Sequence, residues 1–282
     1  MTGAGGFIGG YVVREFVESG WHVVCVVHHR IPIYLQSLAD MGKVSLIRAD
    51  LTERGSFAAA VAELGGRENC DALIHCAAKV CDVGRDVHYR NTNYDAVREL
   101  AFWCADKSRC RFVFVSTTDV YGFIDGQGAS EEELSYAEGR LNPYQKYKIL
   151  SEKAIKGILP NDRWVIIRPG SVWGSGDQLV GSRIVRFLES SPLIVCFGPY
   201  RGRNRWPLSH VRNVAAAIRL SAEDSQITGK AVTVVDSERS DVKEVFQMFV
   251  SLYLPGRKLR SLSSMLAVFT DYLHERVDLP PS

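Results

Sequence analysis

The stretch Thr2-Gly3-Ala4-Gly5-Gly6-Phe7-Ile8-Gly9 decides the fold of this chain of 282 residues. Glycines at positions 3, 6 and 9 permit a tight turn and let the backbone approach a pyrophosphate closely. An amphipathic helical pattern follows, and a helix that begins there offers free N–H groups and its positive dipole end to phosphates. A second apolar strand comes next at the expected distance. The stretch therefore predicts a dinucleotide-binding turn.

Apolar runs alternate with amphipathic segments through the first two thirds of the chain. Continuous hydrophobicity is typical of strands that are buried on both faces of a parallel sheet. The alternation predicts an α/β fold with a doubly wound parallel sheet of the Rossmann type. The predicted strands are His22–Val27, Val44–Ala49, Ala72–Cys76, Arg111–Ser116 and Trp164–Arg168.

The strand that should lead into the glycine-rich turn is missing from the sequence. Only Met1 and Thr2 precede Gly3, whereas a buried strand has about five residues. That strand is central in a doubly wound sheet, and its loss would leave backbone groups of the core unpaired. We expect that the first strand is truncated and that the natural product carries further residues before Met1.

The pattern loosens after Arg168, where Gly, Pro, Arg and Trp become frequent. We predict a dinucleotide-binding Rossmann domain over residues 1–167, which also carries the catalytic residues. A smaller substrate-binding lobe is predicted over residues 168–282, partly interleaved with the first domain. Helices are expected at Val211–Ser221 and Asp241–Leu252, a strand at Ala231–Val235, and an amphipathic helix at Leu259–Val277.

Composition narrows the class of protein. Hydrophobic residues make up 46% and charged residues 23%, and the net charge of +2 gives no reason to expect nucleic acid or an acidic membrane as partner. The seven cysteines are odd in number and form no Cys-x-x-Cys pair, which favours a reducing compartment over disulfides or a metal site. Neither a signal peptide nor an apolar run of membrane-spanning length is visible. We expect a cytoplasmic protein that acts on a small molecule without a metal.

The end of the second predicted strand bears on the choice of dinucleotide. A carboxylate about 20 residues after the glycines would bind the ribose of NAD, but here the sequence is Val26-Val27-His28-His29-Arg30. His28 and Arg30 can pair with a 2′-phosphate, which favours NADP over NAD; alternatively they only solvate a loop. Asp50, which precedes Leu51 after the next strand, is either an acceptor for the adenine amino group or, like Thr52, a helix N-cap.

Tyr144 and Lys148 are the candidate catalytic pair. Residues four apart share one helix face, and a nearby ammonium is expected to lower the pKa of a tyrosine. The pair can then move the proton of an alcohol or a carbonyl while a nicotinamide carries hydride. A hydroxyl after the strand Arg111–Ser116 can bind the same substrate oxygen. Thr117 is the preferred candidate, with Ser116 and Thr118 as alternatives.

The chain resembles an extended short-chain dehydrogenase/reductase of the NAD-dependent epimerase/dehydratase superfamily. The matching pieces, in the family's order, are Thr2-Gly3-x-x-Gly6-Phe7-Ile8-Gly9, Asp50-Leu51, His75-Cys76-Ala77-Ala78, Asn93, Ser116-Thr117 with Val120-Tyr121-Gly122, Tyr144-x-x-x-Lys148, Arg168-Pro169-Gly170 and His210-Val211-x-Asn213-Val214-Ala215. The resemblance implies catalytic Thr117, Tyr144 and Lys148, with Asn93 supporting a proton-relay water. The cofactor-binding residues expected from the motifs are Gly3, Gly6, Phe7, Ile8, Gly9, His28, Arg30, Asp50, Leu51, Ala77, Ala78, Lys79, Tyr144, Lys148 and Pro169. The resemblance also implies a homodimer through the two helices that begin near Asn93 and Tyr144.

Two branches of that family compete. The pieces Trp173-Gly174 and Arg205-Trp206 before His210 are closer to the 3β-hydroxysteroid dehydrogenase-like branch, which implies hydride transfer to or from a sterol-like or other lipophilic secondary alcohol or ketone. The alternative is a nucleotide-sugar epimerase or dehydratase, whose pyrophosphate would suit guanidinium groups. Those available are Arg183, Arg201, Arg203, Arg205 and Arg212. A second alternative is a non-catalytic NAD(P)-binding sensor, which the retention of Thr117, Tyr144 and Lys148 argues against.

Overall fold

A computed structural model describes residues 1–28, 30–64, 70–80, 84–122, 129–190, 194–196, 203–237, 241–257 and 259–261 of the chain. The chain divides into two compact units. Unit 1 comprises Met1–Gly170 and Ser209–Val235, and unit 2 comprises the described residues of Ser171–Leu208 and Asp236–Ser282. The chain thus leaves unit 1 after Gly170, returns at Ser209 and leaves again after Val235. Which unit binds which ligand stays a prediction.

Unit 1 is built on parallel strands, as predicted. They are β1 (Val23–Val27), β2 (Val44–Arg48), β3 (Ala72–His75), β4 (Arg111–Val115), β5 (Trp164–Pro169) and, from late in the chain, β9 (Lys230–Val234). The order is β3-β4-β5-β9, with β1 and β2 forming a separate pair, and every one of these pairings is parallel. All five strands predicted in the first two thirds of the chain are confirmed.

Thr2 bridges the two groups of strands. It pairs in parallel with Val26 of β1 and with His75 of β3, and its N–H donates to the carbonyl of Ile74 at 2.9 Å. The terminal ammonium of Met1 donates to the carbonyl of Val24 at 2.7 Å. Met1 and Thr2 therefore occupy the carboxyl end of the position where the sequence calls for a central strand. That further residues precede Met1 stays a prediction.

The helices of unit 1 cover both faces of its sheet. They are α1 (Phe7–Glu18), α2 (Ile33–Asp40), α3 (Ser56–Ala62), α4 (Asp86–Arg90), α5 (Ala96–Ala105), α6 (Pro143–Ile158) and α8 (Val211–Glu223), with a π-helical turn at Asn91–Asp95 between α4 and α5. Side chains of α3, α5 and α6 share one buried cluster with strand residues such as Phe112 and Ile166. Helix α1 packs against α8, where Arg219 pairs with Glu15 at 3.0 Å. The doubly wound arrangement is confirmed.

Unit 2 contains α7 (Val180–Ser190) and α9 (Val242–Tyr253), with short strands β6 (Ser171–Trp173), β7 (Ile194–Cys196) and β10 (Leu259–Ser261); β8 (Leu208–His210) lies where the chain returns to unit 1. Ile184 and Leu188 of α7 share an apolar cluster with Val245 and Val250 of α9. A capping box starts α9, since Asp241 and Glu244 each accept the other's backbone N–H.

The predicted helix at Leu259–Val277 is wrong at its start. Leu259–Ser261 form β10, which pairs in parallel with β7, because hydrogen bonds to a neighbouring strand outweigh the helical apolar spacing of this short piece. Residues 262–277 lie outside the described part of the chain. No helix in the described ranges is long and apolar enough to cross a membrane.

Candidate active site

The glycine-rich turn leaves no room for side chains. Gly3 has φ of +70°, and a Cβ atom there would lie 2.5 Å from the backbone nitrogen of Ala77. A Cβ atom at Gly9 would lie 2.0 Å from the carbonyl oxygen of Gly3. The turn therefore packs directly on the residues that follow β3 and on the first turn of α1, which only glycine permits at these positions.

The start of α1 is suited to a phosphate. Gly6 is its N-cap residue, no side chain caps the helix, and its first turn carries no acidic residue. The N–H groups of the first turn thus have no side-chain acceptor from the cap, and the dipole of the 12-residue helix favours an anion there. Phe7 and Ile8 begin the helix, as the glycine motif predicts. The geometry of the turn fits the pyrophosphate of a dinucleotide.

Tyr34, which the sequence motifs did not single out, supports this turn. Its hydroxyl donates to the carbonyl of Ala4 at 2.5 Å. Pro32 lies 3.4 Å from the position of a Cβ atom at Gly5. Pro32, just before α2, and Tyr34, in the first turn of α2, therefore pack against the glycine-rich turn. In the sequence, the only indication of this contact is a tyrosine a few residues after β1.

The carboxyl ends of β1 and β2 bring His28, Arg48 and Asp50 together. His28 Nε2 lies 3.1 Å from an oxygen of Asp50, and Arg48 donates to the carbonyl of His28 at 3.2 Å. Asp50 also accepts from the backbone and the hydroxyl of Thr52, at 2.8 and 2.7 Å. These hydrogen bonds, with the neighbouring His28, hold the pKa of Asp50 below its usual range.

The predicted cofactor-binding residues at the carboxyl ends of β1 and β2 differ in their contacts and exposure. Asp50 organises the turn at Thr52, while Leu51 packs against the core cluster. Arg30 is exposed, and its neighbour His29 lies outside the described residues. Arg48, which the sequence places only in a strand, adds a second guanidinium to that of Arg30 at this edge.

Asn93 lies in the π-helical turn and is 1% exposed. Its side chain accepts from the backbone N–H of Lys79 at 2.7 Å and donates to the carbonyl of Lys79 at 3.0 Å. Its own carbonyl accepts from the hydroxyl of Ser151 at 2.5 Å. Asn93 thus fixes the segment Ala77, Ala78 and Lys79 after β3; support of a proton-relay water by Asn93 stays a prediction.

Thr117, Tyr144 and Lys148 meet at the carboxyl edge of β4. Thr117 is buried and lies two residues after the end of the strand, close enough to Tyr144 for its hydroxyl to lower the pKa of that phenol. Lys148 is buried one turn further along α6, where its ammonium donates to the carbonyl of Val115 at 2.7 Å. The ammonium lies 5.8 Å from the centre of the Tyr144 ring. The structure therefore brings together the three residues that the sequence predicted.

The expected direction of the tyrosine pKa is wrong in this structure. Burial, followed by the nearby Asp119 carboxylate, raises the pKa of Tyr144 above its ordinary value, against a smaller lowering by the Thr117 hydrogen bond. The Lys148 ammonium is directed at the Val115 carbonyl, and burial lowers the pKa of Lys148 to about 8. At neutral pH the site therefore holds a protonated phenol beside a charged ammonium.

A buried ion pair lies next to the three candidate catalytic residues, one turn further along α6. Glu152, one turn after Lys148 on α6, accepts from two nitrogens of Arg168 at 3.1 and 2.5 Å. It also accepts from the hydroxyls of Ser116 at 2.5 Å and Tyr136 at 2.9 Å. Arg168 donates further to Tyr121 at 2.8 Å. The network ties α6 to the end of β4 and to β5, where Pro169 ends the strand.

Arg168 stands in the sequence only as part of the motif Arg168-Pro169-Gly170, and no sequence motif singles out Glu152. The sequence does contain an indication of this role. Glu152 is four residues after Lys148, so both lie on the same face of α6. A charge on a buried helix face requires a buried partner.

The sequence profile of the NAD dependent epimerase/dehydratase family matches residues 1–234. The chain belongs to this family, and the predicted resemblance to the extended short-chain dehydrogenase/reductases is confirmed. It is an enzyme of that type, a dehydrogenase, reductase or epimerase that uses a nicotinamide dinucleotide.

Curated relatives are distant. The 2-alkyl-3-oxoalkanoate reductase of Stenotrophomonas maltophilia is 26% identical over 98% of this chain and 82% of its own length. The decarboxylating sterol-4-alpha-carboxylate 3-dehydrogenase of Dictyostelium discoideum is 26% identical over 79% of the chain and 66% of its own length. The UDP-glucose 4-epimerase of Drosophila melanogaster is 27% identical over 59% of the chain, which spans half of that relative.

Among solved structures, MoeE5 in complex with UDP-glucose and NAD superposes with a TM-score of 0.72 at 25% identity, covering 93% of this chain and 84% of that one. A UDP-glucuronic acid 4-epimerase from Bacillus cereus in complex with NAD superposes with a TM-score of 0.73 at 23% identity, covering 93% and 86%. The second likeness shows the fold alone.

Proposed function

We propose that the protein transfers hydride between a nicotinamide cofactor and a lipophilic ketone or secondary alcohol, and that it favours ketone reduction at neutral pH. The observation that carries this proposal is the grouping of Thr117, Tyr144 and Lys148 at the carboxyl end of β4, where the buried Lys148 lies 5.8 Å from the centre of the Tyr144 ring. A phenol whose pKa is raised is protonated at neutral pH, so it is ready to give a proton to a carbonyl oxygen rather than to take one from an alcohol.

The bound cofactor would supply the hydride that the protein itself cannot provide. The Thr117 hydroxyl orients the substrate oxygen, and Tyr144 donates its phenolic proton to that oxygen as negative charge develops there. Lys148 stabilises the phenolate that remains, since its ammonium is charged below a pKa of about 8. Alcohol oxidation uses the same groups in reverse, starting from the phenolate.

The cofactor is proposed to be NADP in preference to NAD. His28, Arg30 and Arg48 lie at the carboxyl ends of β1 and β2. The carboxylate of the nearby Asp50 already forms hydrogen bonds with His28 and Thr52. Guanidinium groups pair well with a 2′-phosphate. The alternative is that these side chains only face solvent. A comparison of the dissociation constants for NADPH and NADH tests it.

A lipophilic substrate is supported by unit 2 and by two relatives. Large apolar side chains of unit 2 are exposed, including Trp173, Phe187, Met248 and Leu252. The relatives named for an oxoalkanoate and a sterol match 98% and 79% of the chain, whereas the Drosophila UDP-glucose 4-epimerase matches 59%. Of these three curated relatives, the one that matches most of the chain is named for an alkyl-substituted oxoalkanoate.

Nucleotide-sugar epimerisation is the second candidate. It is favoured by the likeness to MoeE5, whose structure contains UDP-glucose and NAD, and by arginines of unit 2. Of the five arginines named for this reading, Arg201 lies outside the described residues and the other four are exposed. Arg183, Arg203 and Arg205 belong to unit 2, whereas Arg212 belongs to unit 1. Epimerisation begins with the same hydride step at Tyr144, so only the substrate distinguishes the two candidates.

The decisive experiment measures NADPH and NADH oxidation with a 2-alkyl-3-oxoacid, a 3-ketosteroid and a UDP-4-ketosugar, beside interconversion of UDP-glucose. The proposal expects turnover with a lipophilic ketone and a loss of at least about 100-fold in kcat for Tyr144→Phe. Tyr147→Phe is the matched control, because it removes a phenol from the same helix whose hydroxyl donates to Asp86. Unchanged turnover in Tyr144→Phe would overturn the mechanism, and tight NADPH binding without turnover on any substrate would indicate a sensor.

A homodimer through α5 and α6 is also proposed. Phe102 of α5 is 51% exposed and Val87 of α4 is 47% exposed. Light scattering of wild type and of Phe102→Glu tests this assembly: a monomeric wild type would contradict it.

A further inference from the structure

Three cysteines cluster at the edge of the sheet where β3 and β4 begin, opposite the edge that carries Thr117. Cys70 lies two residues before β3, Cys110 lies directly before β4, and Cys104 lies in the last turn of α5. The sulfur atoms of Cys70 and Cys110 are 3.4 Å apart. The sulfur of Cys104 lies 3.0 Å from the carbonyl oxygen of Cys110. The proposed hydride transfer uses none of these thiols.

Arg163 fixes the backbone around the cluster. Its guanidinium donates to the carbonyl of Cys104 at 2.7 Å and to the carbonyl of Cys110 at 2.8 Å. The register of the two strands starts at Ala72 opposite Arg111, so that Cys70 and Cys110 lie on neighbouring segments just outside the ladder. A small movement of either residue therefore breaks no strand pairing.

The three thiols differ in exposure and acidity. Cys104 and Cys110 are fully buried, whereas Cys70 is half-buried. The Cys110 thiol donates to the sulfur of Cys70, and this hydrogen bond lowers the pKa of Cys70 to about 7. Cys70 is thus the thiol of the cluster that combines access to solvent with thiolate character, the two properties that govern reactivity.

We propose that Cys70 and Cys110 form a peroxide-oxidisable dithiol, in which Cys70 is the attacking thiol and Cys110 the resolving thiol. The Cys70 thiolate attacks a hydroperoxide, the O–O bond breaks, and the products are a Cys70 sulfenic acid and an alkoxide or hydroxide that takes up a proton. The Cys110 sulfur then attacks the Cys70 sulfur and releases water. Two thiols lose two electrons in total, and the hydroperoxide is reduced by two.

The geometry favours the second step. A disulfide has a sulfur–sulfur distance of about 2.05 Å, so the sulfurs of Cys70 and Cys110 must approach by only a little over an ångström. Since Cys110 is buried beside Cys70, it meets the sulfenic acid before a second peroxide can.

The test treats the reduced full-length chain with hydrogen peroxide at pH 7, followed by alkylation and mass spectrometry. The expected result is a loss of about 2 Da with a Cys70–Cys110 linked peptide, reversed by dithiothreitol. The rate should rise with pH through about 7, following the thiolate of Cys70. A rate that rises only near 8.5, the ordinary range of a thiol, or a gain of oxygen atoms without a linked peptide, would overturn the proposal.

Variants separate the two roles. Cys110→Ser should trap Cys70 as a sulfenic acid, a gain of about 16 Da, while Cys70→Ser should lose the fast reaction altogether. Cys104→Ala and Cys25→Ala are controls that should keep the linkage; burial raises the pKa of Cys25 to about 11. A fast loss of about 2 Da that persists in Cys70→Ser, or a Cys70–Cys110 link that disappears in Cys104→Ala, would contradict the assignment. Near-native circular dichroism of the variants excludes misfolding as the cause.

Discussion

The hydroxyl of Tyr34 occupies the space that a side chain at Gly10 would need. A Cβ atom built on Gly10 lies 2.7 Å from this hydroxyl oxygen, which at the same time donates to the carbonyl of Ala4 at 2.5 Å. Arg14 lies over the Tyr34 ring at 4.9 Å. One phenol thereby connects the start of α2, helix α1 and the phosphate-binding turn.

Because Tyr34 contacts both Ala4 and Gly10, substitutions at Tyr34 and Gly10 should have non-additive effects on cofactor affinity. Tyr34→Phe should weaken NADPH binding about fivefold, because a hydrogen bond of about 1 kcal/mol holds the turn. Gly10→Ala should weaken binding about tenfold by displacing Tyr34. The double variant should bind better than the sum of the single effects predicts, since removing the hydroxyl makes room for the new methyl group. Fluorescence titration measures the three dissociation constants; strictly additive losses would show that the two positions are not coupled.

Lys148 predicts a pH dependence of stability. The folded protein releases the proton of Lys148 above about pH 8, while the unfolded chain keeps it to about 10.4. Below pH 8 both states are protonated and the cost of burying the ammonium is constant. Between pH 8 and 10.4 the unfolded chain binds more protons, so the contribution of Lys148 to stability rises with pH.

Lys148→Met removes this contribution. The free energy of unfolding of the variant, relative to that of wild type, should be highest at pH 7. This difference should fall by up to about 3 kcal/mol as the pH rises to 10.4. Chemical unfolding at pH 7, 8.5 and 10 measures the difference, with the exposed Lys43→Met as a control for loss of a surface lysine. A difference between variant and wild type that is independent of pH would show that burial of Lys148 carries no such cost.

The pair Glu152–Arg168 predicts strong destabilisation when only one charge is removed. Their side chains are 0% and 4% exposed, so Glu152→Leu would leave a buried guanidinium without its counter-ion and should cost about 3–5 kcal/mol. The double variant Glu152→Leu/Arg168→Met should be more stable than either single variant. Urea unfolding tests this; a double variant less stable than both would show that the pair does not act as a unit.

The cationic edge of β1 and β2 predicts cofactor discrimination. Arg30→Ala and Arg48→Ala should each raise the dissociation constant for NADPH about fivefold, corresponding to roughly 1 kcal/mol for a partly exposed charge pair. The affinity for NADH should change less than twofold. Arg109→Ala, at an exposed position just before β4, is the control. Equal losses for both cofactors would mean that these arginines do not read the 2′-phosphate.

Much of the fold could be predicted from local pattern. The five strands predicted in the first two thirds of the chain agree with the structure to within about a residue, because continuous apolar runs between glycine-rich or polar segments have few other structures. The helix at Leu259–Val277 was misplaced at its start, because three residues of mixed pattern form a strand only when a partner, here β7, is beside them. Strand pairing is a long-range property that local spacing does not contain.

By itself, the sequence determined the order of strands and helices, the glycine turn and the common helix face of Tyr144 and Lys148, because these depend on steric and periodic rules within a few residues. Only the tertiary structure decided that burial and Asp119 raise the pKa of Tyr144, that Lys148 donates to Val115, and that Glu152 meets Arg168. Electrostatic behaviour depends on solvent exclusion and on the charges nearby. Both are set by residues far apart in the chain, so spacing identifies the candidate catalytic groups, while packing sets their protonation.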